Sequence, residues 1–495
     1  MGAEVGIGTL AELGLTAMGA QEAQITGLSV DSRLVKDGHL FAALPGVTAH
    51  GGDFIQYALR QGAAAILTDQ KGAEIAKKEI EASGAALVIA QDPRQALAFA
   101  ATLWFGAQPE IAVAVTGTNG KTSVASFTRQ IWALLGFEAA NVGTTGVEGA
   151  YSAPTGHTTP EPITLHRLMA DMAHHGITHV AMEASSHGLE QRRLDGMQLA
   201  AAGFTNFTQD HLDYHADFEA YFNAKAGLFT RVLSEDGIAV VNRNDARFQD
   251  ISRLAEKRGQ EVLSVGRDEN ASIRIIAQRF EPMGQTVLFE YNDRTFEVKL
   301  PLIGGFQAEN VLMAAGLAIA SGADANEIFG VLPQLKTVRG RMELAATRKN
   351  GASIFVDYAH TPDALATACR ALRPHVLGRL IVVFGAGGDR DKGKRPLMGQ
   401  AAEAHADVIF VTDDNPRSED PAVIRREVMD GCIEAIEVAD RAEAILRGVD
   451  ALGAGDVLLI AGKGHETGQV IGDDVLPFDD LEQASVAVAA LDGML

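Results

Sequence analysis

Val115-Thr116-Gly117-Thr118-Asn119-Gly120-Lys121-Thr122 decides the fold of this 495-residue chain. An apolar strand, Ile111 to Val115, runs straight into the glycine-rich turn, and the amphipathic stretch Ser123 to Leu135 continues as a helix. Strand, tight loop and helix in that order make a phosphate cradle. The glycines let backbone N–H groups approach phosphate oxygens, Lys121 adds a point charge, the Thr122 hydroxyl suits Mg²⁺, and the helix offers its positive end. Gly117 and Gly120 are three positions apart, however, where the general phosphate-loop pattern has five.

Outward from this loop the pattern is strand, polar loop, helix, repeated. Upstream, from Ile25 to about Gln108, strands His39 to Leu44 and Ala63 to Leu67 alternate with helical segments Phe54 to Gln61 and Asp92 to Phe105. Downstream, Thr178 to Glu183 and Leu199 to Phe204 read as buried parallel strands. Composition changes again near Lys336 to Gly340. Ser353 to Asp357, Leu380 to Phe384, Val408 to Thr412 and Val457 to Ala461 are strands that end on loops rich in Gly, Asp and Asn. The expected architecture is α/β in three domains, 1–108, 109–338 and 339–495. A central, mostly parallel sheet of phosphate-loop type is flanked by a small N-terminal α/β domain and a Rossmann-like C-terminal domain. Ligands are expected at the carboxyl ends of the strands.

The length calls for two to four cores of ordinary size. Sixty-four acidic against 42 basic residues give a net charge of −22, a field that repels nucleic acid and anionic membranes. No apolar run approaches the ~20 residues of a membrane span. The opening residues carry no early Lys or Arg, so a secretory signal is not expected and a cytoplasmic location is. Cys369 and Cys432 alone make no disulfide framework and suggest no zinc site.

Two further segments at strand ends gather chemistry. Met182-Glu183-Ala184-Ser185-Ser186-His187 sets Glu183 beside the phosphate loop as a candidate Mg²⁺ carboxylate. Thr205-Asn206-Phe207-Thr208-Gln209-Asp210-His211-Leu212-Asp213-Tyr214-His215 collects two His and two Asp. Together with Ala224-Lys225, Gly340-Arg341-Met342-Glu343, Asp357-Tyr358-Ala359-His360-Thr361-Pro362-Asp363 and Gly387-Gly388-Asp389-Arg390-Asp391, these segments resemble the Mur ligase family. The resemblance is to the type that adds meso-diaminopimelate to UDP-N-acetylmuramoyl-L-alanyl-D-glutamate. It extends from Asp31-Ser32-Arg33 to Asp413-Asp414-Asn415-Pro416-Arg417 and Ala461-Gly462-Lys463-Gly464-His465-Glu466, in the expected order.

The resemblance implies roles for the three domains: UDP-sugar binding, ATP binding and amino-acid binding. ATP would lie on Gly117, Thr118, Asn119, Gly120, Lys121 and Thr122, with Asn310, Arg341, Asp357 and His360 contacting the nucleotide as the third domain closes. Lys121, Glu183, His211 and Lys225 would be catalytic, and Thr122, Glu183, His211 and a carbamylated Lys225 would hold Mg²⁺. Composition alone reads Lys225 as a solvated helix lysine. The UDP-sugar peptide would meet Val30, Ser32, Val47, Thr48, Ala49, His157, Thr158, Thr159, Ser185, Gln191 and Arg193. The incoming amino acid would meet Arg390, Asp414, Asn415, Pro416, Arg417, Gly462 and Glu466. Two arginines suit carboxylates and two acids suit an ammonium, which fits a zwitterionic far end better than lysine does. Small-molecule substrates, ATP with Mg²⁺ and a monomeric enzyme follow, with neither nucleic acid nor membrane insertion; the general base stays open.

Gln307 stands where the family commonly has Asn, and His50, Arg339 and Ala386 also depart from its pattern. None of these removes a charged catalytic group. A sister ligase adding L-lysine and a phosphate-loop ATPase without ligase activity remain as alternatives. The turn Gly385-Ala386-Gly387-Gly388 lacks the full dinucleotide spacing.

Overall fold

The computed structural model describes residues 6–46, 49–208, 214–281 and 283–493. Its chain folds around three sheets that follow one another along the sequence. The first is parallel throughout, in the order β1 (Gly27–Ser29), β2 (His39–Ala43), β3 (Ala65–Thr68), β4 (Ala86–Ile89). Its strand β2 is buried on both sides. Leu40 and Ala42 enter one apolar cluster, while Phe41 and Ala43 enter another. Helix α1 (Pro93–Phe105) then leads to the central unit, started by the Asp92 side chain, which accepts from the Gln95 N–H.

The central sheet grows from β5 (Ile111–Thr116), which feeds the glycine-rich loop and helix α2 (Lys121–Leu134). Along the chain follow β6 (Ala139–Gly143), β7 (Gly146–Gly149), α3 (Pro162–His174), β8 (His179–Glu183), α4 (Ser186–Glu190), β9 (Ala201–Phe204) and α5 (Phe218–Gly227). Then come β10 (Ile238–Asn242), β11 (Glu261–Gly266), β12 (Ile273–Glu281), β13 (Gly284–Tyr291), β14 (Arg294–Leu300) and α6 (Phe306–Ala320). The spatial order is β14-β13-β12-β11-β10-β9-β5-β8-β6-β7. From β12 to β6 all pairs are parallel, and antiparallel strands close both edges. Strand β5 explains why the middle must be covered twice. Val113 and Val115 pack with Phe127, Ile131 and Trp132 of α2, whereas Ala112 and Ala114 pack with Met169 and Met172 of α3.

The third sheet has the order β15 (Glu343–Thr347), β16 (Ser353–Asp357), β20 (Val457–Ala461), β17 (Leu380–Phe384), β18 (Val408–Val411), β19 (Ile436–Glu437), parallel except at the β15 edge. Helices α7 (Pro362–Leu372), α8 (Lys394–His405), α9 (Arg441–Asp450) and α10 (Asp480–Leu491) cover it, and a separate hairpin joins β21 (Gly468–Ile471) to β22 (Asp474–Pro477). Where strand ends differ from the expected ones, they do so by one or two residues, as in β3 and β9.

Polar and apolar contacts join the units at both junctions. Between the first and the central unit, Gln95 Nε2 donates to Asp195 Oδ2 at 3.0 Å and Arg192 pairs with Asp92 at 2.8 Å. His166, 1% exposed, meets Thr102 Oγ1 at 3.1 Å, and burial pulls its pKa down to about 4. Between the central and the third unit, Ile303 joins the third unit's core and His375 Nδ1 lies 2.7 Å from the Glu281 carbonyl. Among the described residues, no helix is long and apolar enough to cross a membrane.

Candidate functional site

Strands β5, β8 and β9 lie side by side, so their carboxyl ends bring three sequence segments together. After β5 the chain turns at Gly117, whose φ of 145° belongs to glycine and whose added Cβ would strike Thr205 Oγ1. The close approach ties the loop to β9. Thr205 Oγ1 donates to the Asn119 carbonyl at 2.6 Å, and Asn206 accepts from the Asn119 N–H at 2.8 Å. Lys121 folds back over the loop and donates to the carbonyls of Gly117 at 2.9 Å and Thr118 at 2.8 Å. Asn310 sits at the other side of the loop, its Oδ1 close to Gly120, and its amide donates to Gln307 Oε1 at 3.2 Å.

Glu183, at the end of β8, is 2% exposed. Its Oε2 accepts from Thr122 Oγ1 at 3.0 Å and Thr144 Oγ1 at 3.3 Å, and its Oε1 accepts from the Thr144 N–H at 2.7 Å. Every one of these partners is neutral. A buried carboxylate beside a hydroxyl, with no cation paired to it among the described residues, is a hard-oxygen donor set that fits Mg²⁺. Arg341 reaches across from the third unit and donates to Thr122 Oγ1 at 3.0 Å, with its guanidinium 4.5 Å from the Tyr358 ring centre. Asn119 donates to Asp363 at 3.4 Å, a second polar contact across the same junction.

Lys225, on α5, departs from what composition favours. It is 1% exposed, its ammonium donates to the Gly117 carbonyl at 2.7 Å, and it lies 4.5 Å from the Tyr221 ring centre. It belongs to the phosphate-loop cluster rather than to a solvated face. His211 lies outside the described residues, as do Val47 and Thr48.

Next to Glu183, four of the expected acceptor-side residues form one hydrogen-bonded chain. Arg193 donates to the Thr159 carbonyl at 2.6 Å and to Gln191 Oε1 at 2.8 Å, and Gln191 donates to Tyr214 Oη at 3.0 Å. Thr159 Oγ1 accepts from the Ser185 N–H at 3.0 Å, and Thr158 meets Thr144 at 3.1 Å. Burial lowers the Arg193 pKa from its ordinary value, and the arginine stays charged. Ser185 caps α4 through the Gly188 N–H. His157 is exposed nearby in sequence, and Val30, Ser32 and Ala49 lie on first-sheet loops without a side-chain hydrogen bond to a described central residue. Sequence reasoning missed Thr144 and Tyr214.

The third unit brings its strand-end loops together at a cavity of about 980 Å³. Arg390, Asp414, Asn415, Arg417, Gly462 and Glu466 line it, with His360 and, from α4 of the central unit, His187. Pro416 shapes the turn against Gly388. Gly462 has φ 115°, and a Cβ there would meet Asp414 Oδ2 at 2.6 Å. Asp414 Oδ1 is taken by the Asn415 N–H at 2.7 Å, and Arg417, in the left-handed region at φ 51°, donates to the Gly388 carbonyl at 2.7 Å. Asp357 is a loop cap: its oxygens accept from the Met342 and Ala359 N–H groups at 2.7 and 2.9 Å, and burial raises its pKa. Burial also pushes the Tyr358 phenol up to about 12, so it is a neutral donor at the cavity edge.

Three family models match in chain order. These are the Mur ligase family catalytic domain at residues 24–104, the Mur ligase middle domain at 115–318 and the Mur ligase glutamate ligase domain at 340–464. The chain is 48% identical over 474 residues to UDP-N-acetylmuramoyl-L-alanyl-D-glutamate–2,6-diaminopimelate ligase of Brucella melitensis, covering 95% of each chain. To the ligase of the same description from Caulobacter vibrioides it is 47% identical, covering 96% of this chain and 97% of that one. A solved structure of a ligase so described superposes with a TM-score of 0.68 at 34% identity, covering 94% and 95% of the two chains. Matches that run through all three sheets, and relatives this similar over nearly the whole length, carry one conclusion: the chain belongs to the Mur ligase family.

Proposed function

We propose that the protein joins meso-diaminopimelate to the D-glutamate of UDP-N-acetylmuramoyl-L-alanyl-D-glutamate, using ATP. The observation that carries this reading is the cavity of about 980 Å³ lined by Asp414, Arg417 and Glu466 of the third unit and by His187 of the central one. Such a cavity offers an amino acid paired charges of both signs within reach of the acceptor side. The assignment of residues 1–108 to the UDP-sugar, 109–338 to ATP and 339–495 to the amino acid goes with it.

ATP would lie on Gly117 to Thr122, where Lys121 is held in place by two loop carbonyls. Thr122 and Glu183, with His211 and a carbamylated Lys225, would hold Mg²⁺, which supplies neutralising charge on the phosphates when bound. The γ-phosphoryl group passes to the D-glutamate side-chain carboxylate, giving an acyl phosphate and ADP. The amine then attacks that acyl carbon, the C–N bond forms, phosphate leaves and the amine loses a proton. Arg341, already at Thr122, would add positive charge at the transferring group, and closure of the third unit would exclude the water that hydrolyses acyl phosphates. The Thr159, Ser185, Gln191 and Arg193 chain would position the acceptor, whose uracil end would meet Val30, Ser32 and residues 47–49. The reading also has the enzyme working in the cytoplasm as a monomer, and light scattering tests the monomeric state.

The test is phosphate release from ATP with the UDP-linked dipeptide and meso-diaminopimelate, L-lysine or no amino acid, with product mass measured. Release and mass gain only with diaminopimelate support the reading. Gain with lysine keeps the ligase and overturns the amino-acid assignment, and release without amino acid favours a plain ATPase.

A further inference from the structure

The loops after β18 and β20 carry most of the candidate amino-acid residues, and one buried cation ties their side chains together. Lys463 has a side chain with 0% exposure. Its ammonium donates to Asn415 Oδ1 at 3.1 Å, Glu466 Oε2 at 3.1 Å and the Gly468 carbonyl at 2.6 Å. An ammonium has three N–H donors, and three acceptors meet them. A buried cation is tolerated on those terms, because each lost water is replaced.

The same contacts decide which way Asn415 points. Its Oδ1 also accepts from the Val470 N–H at 2.9 Å, and its Nδ2 donates to Glu466 Oε2 at 2.8 Å. A flipped amide would set its NH₂ against an ammonium and an N–H, and its carbonyl against a carboxylate. Glu466 is thereby gripped by one oxygen: Oε2 accepts from both Lys463 and Asn415, while Oε1 accepts from no described residue. The side chain is 32% exposed and lines the cavity.

We infer that Lys463 is a positioning residue for amino-acid selection: it orients Asn415 and fixes Glu466 by Oε2, leaving Oε1 for the ammonium group of the incoming substrate. The inference rests on the cavity being the diaminopimelate site. Lys463 touches no substrate on this account. It differs from Arg441, which holds the same two loops only through the backbone carbonyls of Ala461 at 3.0 Å and Asp413 at 3.4 Å.

The experiment is steady-state phosphate release by the full chain, varying diaminopimelate and ATP separately. Lys463→Met is expected to raise the KM for diaminopimelate on the order of 10- to 100-fold and to leave the KM for ATP within about twofold. Lys463→Gln keeps amide donors without the charge and is expected to fall between. Combining Lys463→Met with Glu466→Gln should cost little more than Glu466→Gln alone, because both changes disable one carboxylate. Multiplying losses, equal rises in both KM values, or failure of both Lys463 variants to fold would each overturn the inference. If the unaltered enzyme takes lysine and not diaminopimelate, the ligand assignment falls, and the same variants measured with lysine still decide the role of Lys463.

Discussion

The phosphate loop and the third-unit cavity reach precision by different routes. The loop is six consecutive residues, with Gly117 pressed on Thr205, Asn119 tied to Thr205 and Asn206 after the neighbouring strand, and Lys121 folded onto the loop carbonyls. The cavity is assembled from separate loops and depends on buried cations, Lys463 and Arg441, that join them. A contiguous site gathers its chemistry in adjacent residues, so it tolerates little change within itself. A dispersed site tolerates changes at single ligands but fails when its ties are cut.

The largest effect therefore belongs to the loop. Lys121→Met is expected to lower the turnover number by about 10³-fold, the scale of losing a preorganised charge at a phosphoryl group, with thermal stability nearly unchanged. Phosphate release and a melting curve check both halves. In the cavity, the corresponding blow falls on stability. Arg441 and Asp480 are both 0% exposed and paired at 2.7 Å. Asp480→Ala strands the guanidinium and is expected to destabilise the third unit by about 3–5 kcal/mol, read by denaturant unfolding. If Asp480→Ala instead lost activity with unchanged stability, the contrast would fail.

A single cavity ligand should matter less than either. On the proposed reading Arg417→Ala is expected to raise the KM for diaminopimelate about 10- to 100-fold while leaving the KM for ATP unchanged, because it would remove a guanidinium–carboxylate bond at one end of one substrate. Equal loss for both substrates would show that the turn, whose arginine also holds the Gly388 carbonyl at 2.7 Å, supports the loop as a whole.

That contrast also explains what was legible in the sequence. The parallel strands β16, β17 and β20 read correctly to the residue, since strands buried on both faces are continuous apolar runs. Glu183 was legible because it closes such a strand. The strands β12 to β14 went unread although they carry a local signal: Asn292 and Asp293, with φ 49° and 57°, form the two-residue turn that joins β13 to β14. β12 hid because its burial does not alternate cleanly, and a register shift near Ile275 breaks its period. Lys225 and Lys463 were illegible as buried groups for a different reason. A lysine is solvated by default, and only the fold shows which carbonyls take over from water. Thr144 is recruited from a loop with no motif of its own, while Tyr214 stands inside a quoted segment whose His and Asp residues drew the reading away from it.

The smallest expected effect tests how far the cavity's support extends. His465 follows the glycine after Lys463, and its pKa is lowered to about 4, first by burial and then by Arg341, Arg339 and His360. The native state thus holds this imidazole neutral, while the unfolded chain protonates it near 6.5. The unfolded state binds the extra proton, so stability from this group is fully present above pH 6.5, falls as the pH drops, and levels off below about pH 4. At about 1.4 kcal/mol per unit the shift bounds the loss near 3 kcal/mol, and partial solvent access reduces that to about 1–2 kcal/mol. Urea unfolding of the protein and of His465→Asn at pH 7, 5.5 and 4.5 should show the two curves converging as the pH falls. Parallel curves would mean that the imidazole finds a proton acceptor in the folded loop, and the support around Glu466 would then be more polar than its neighbours indicate.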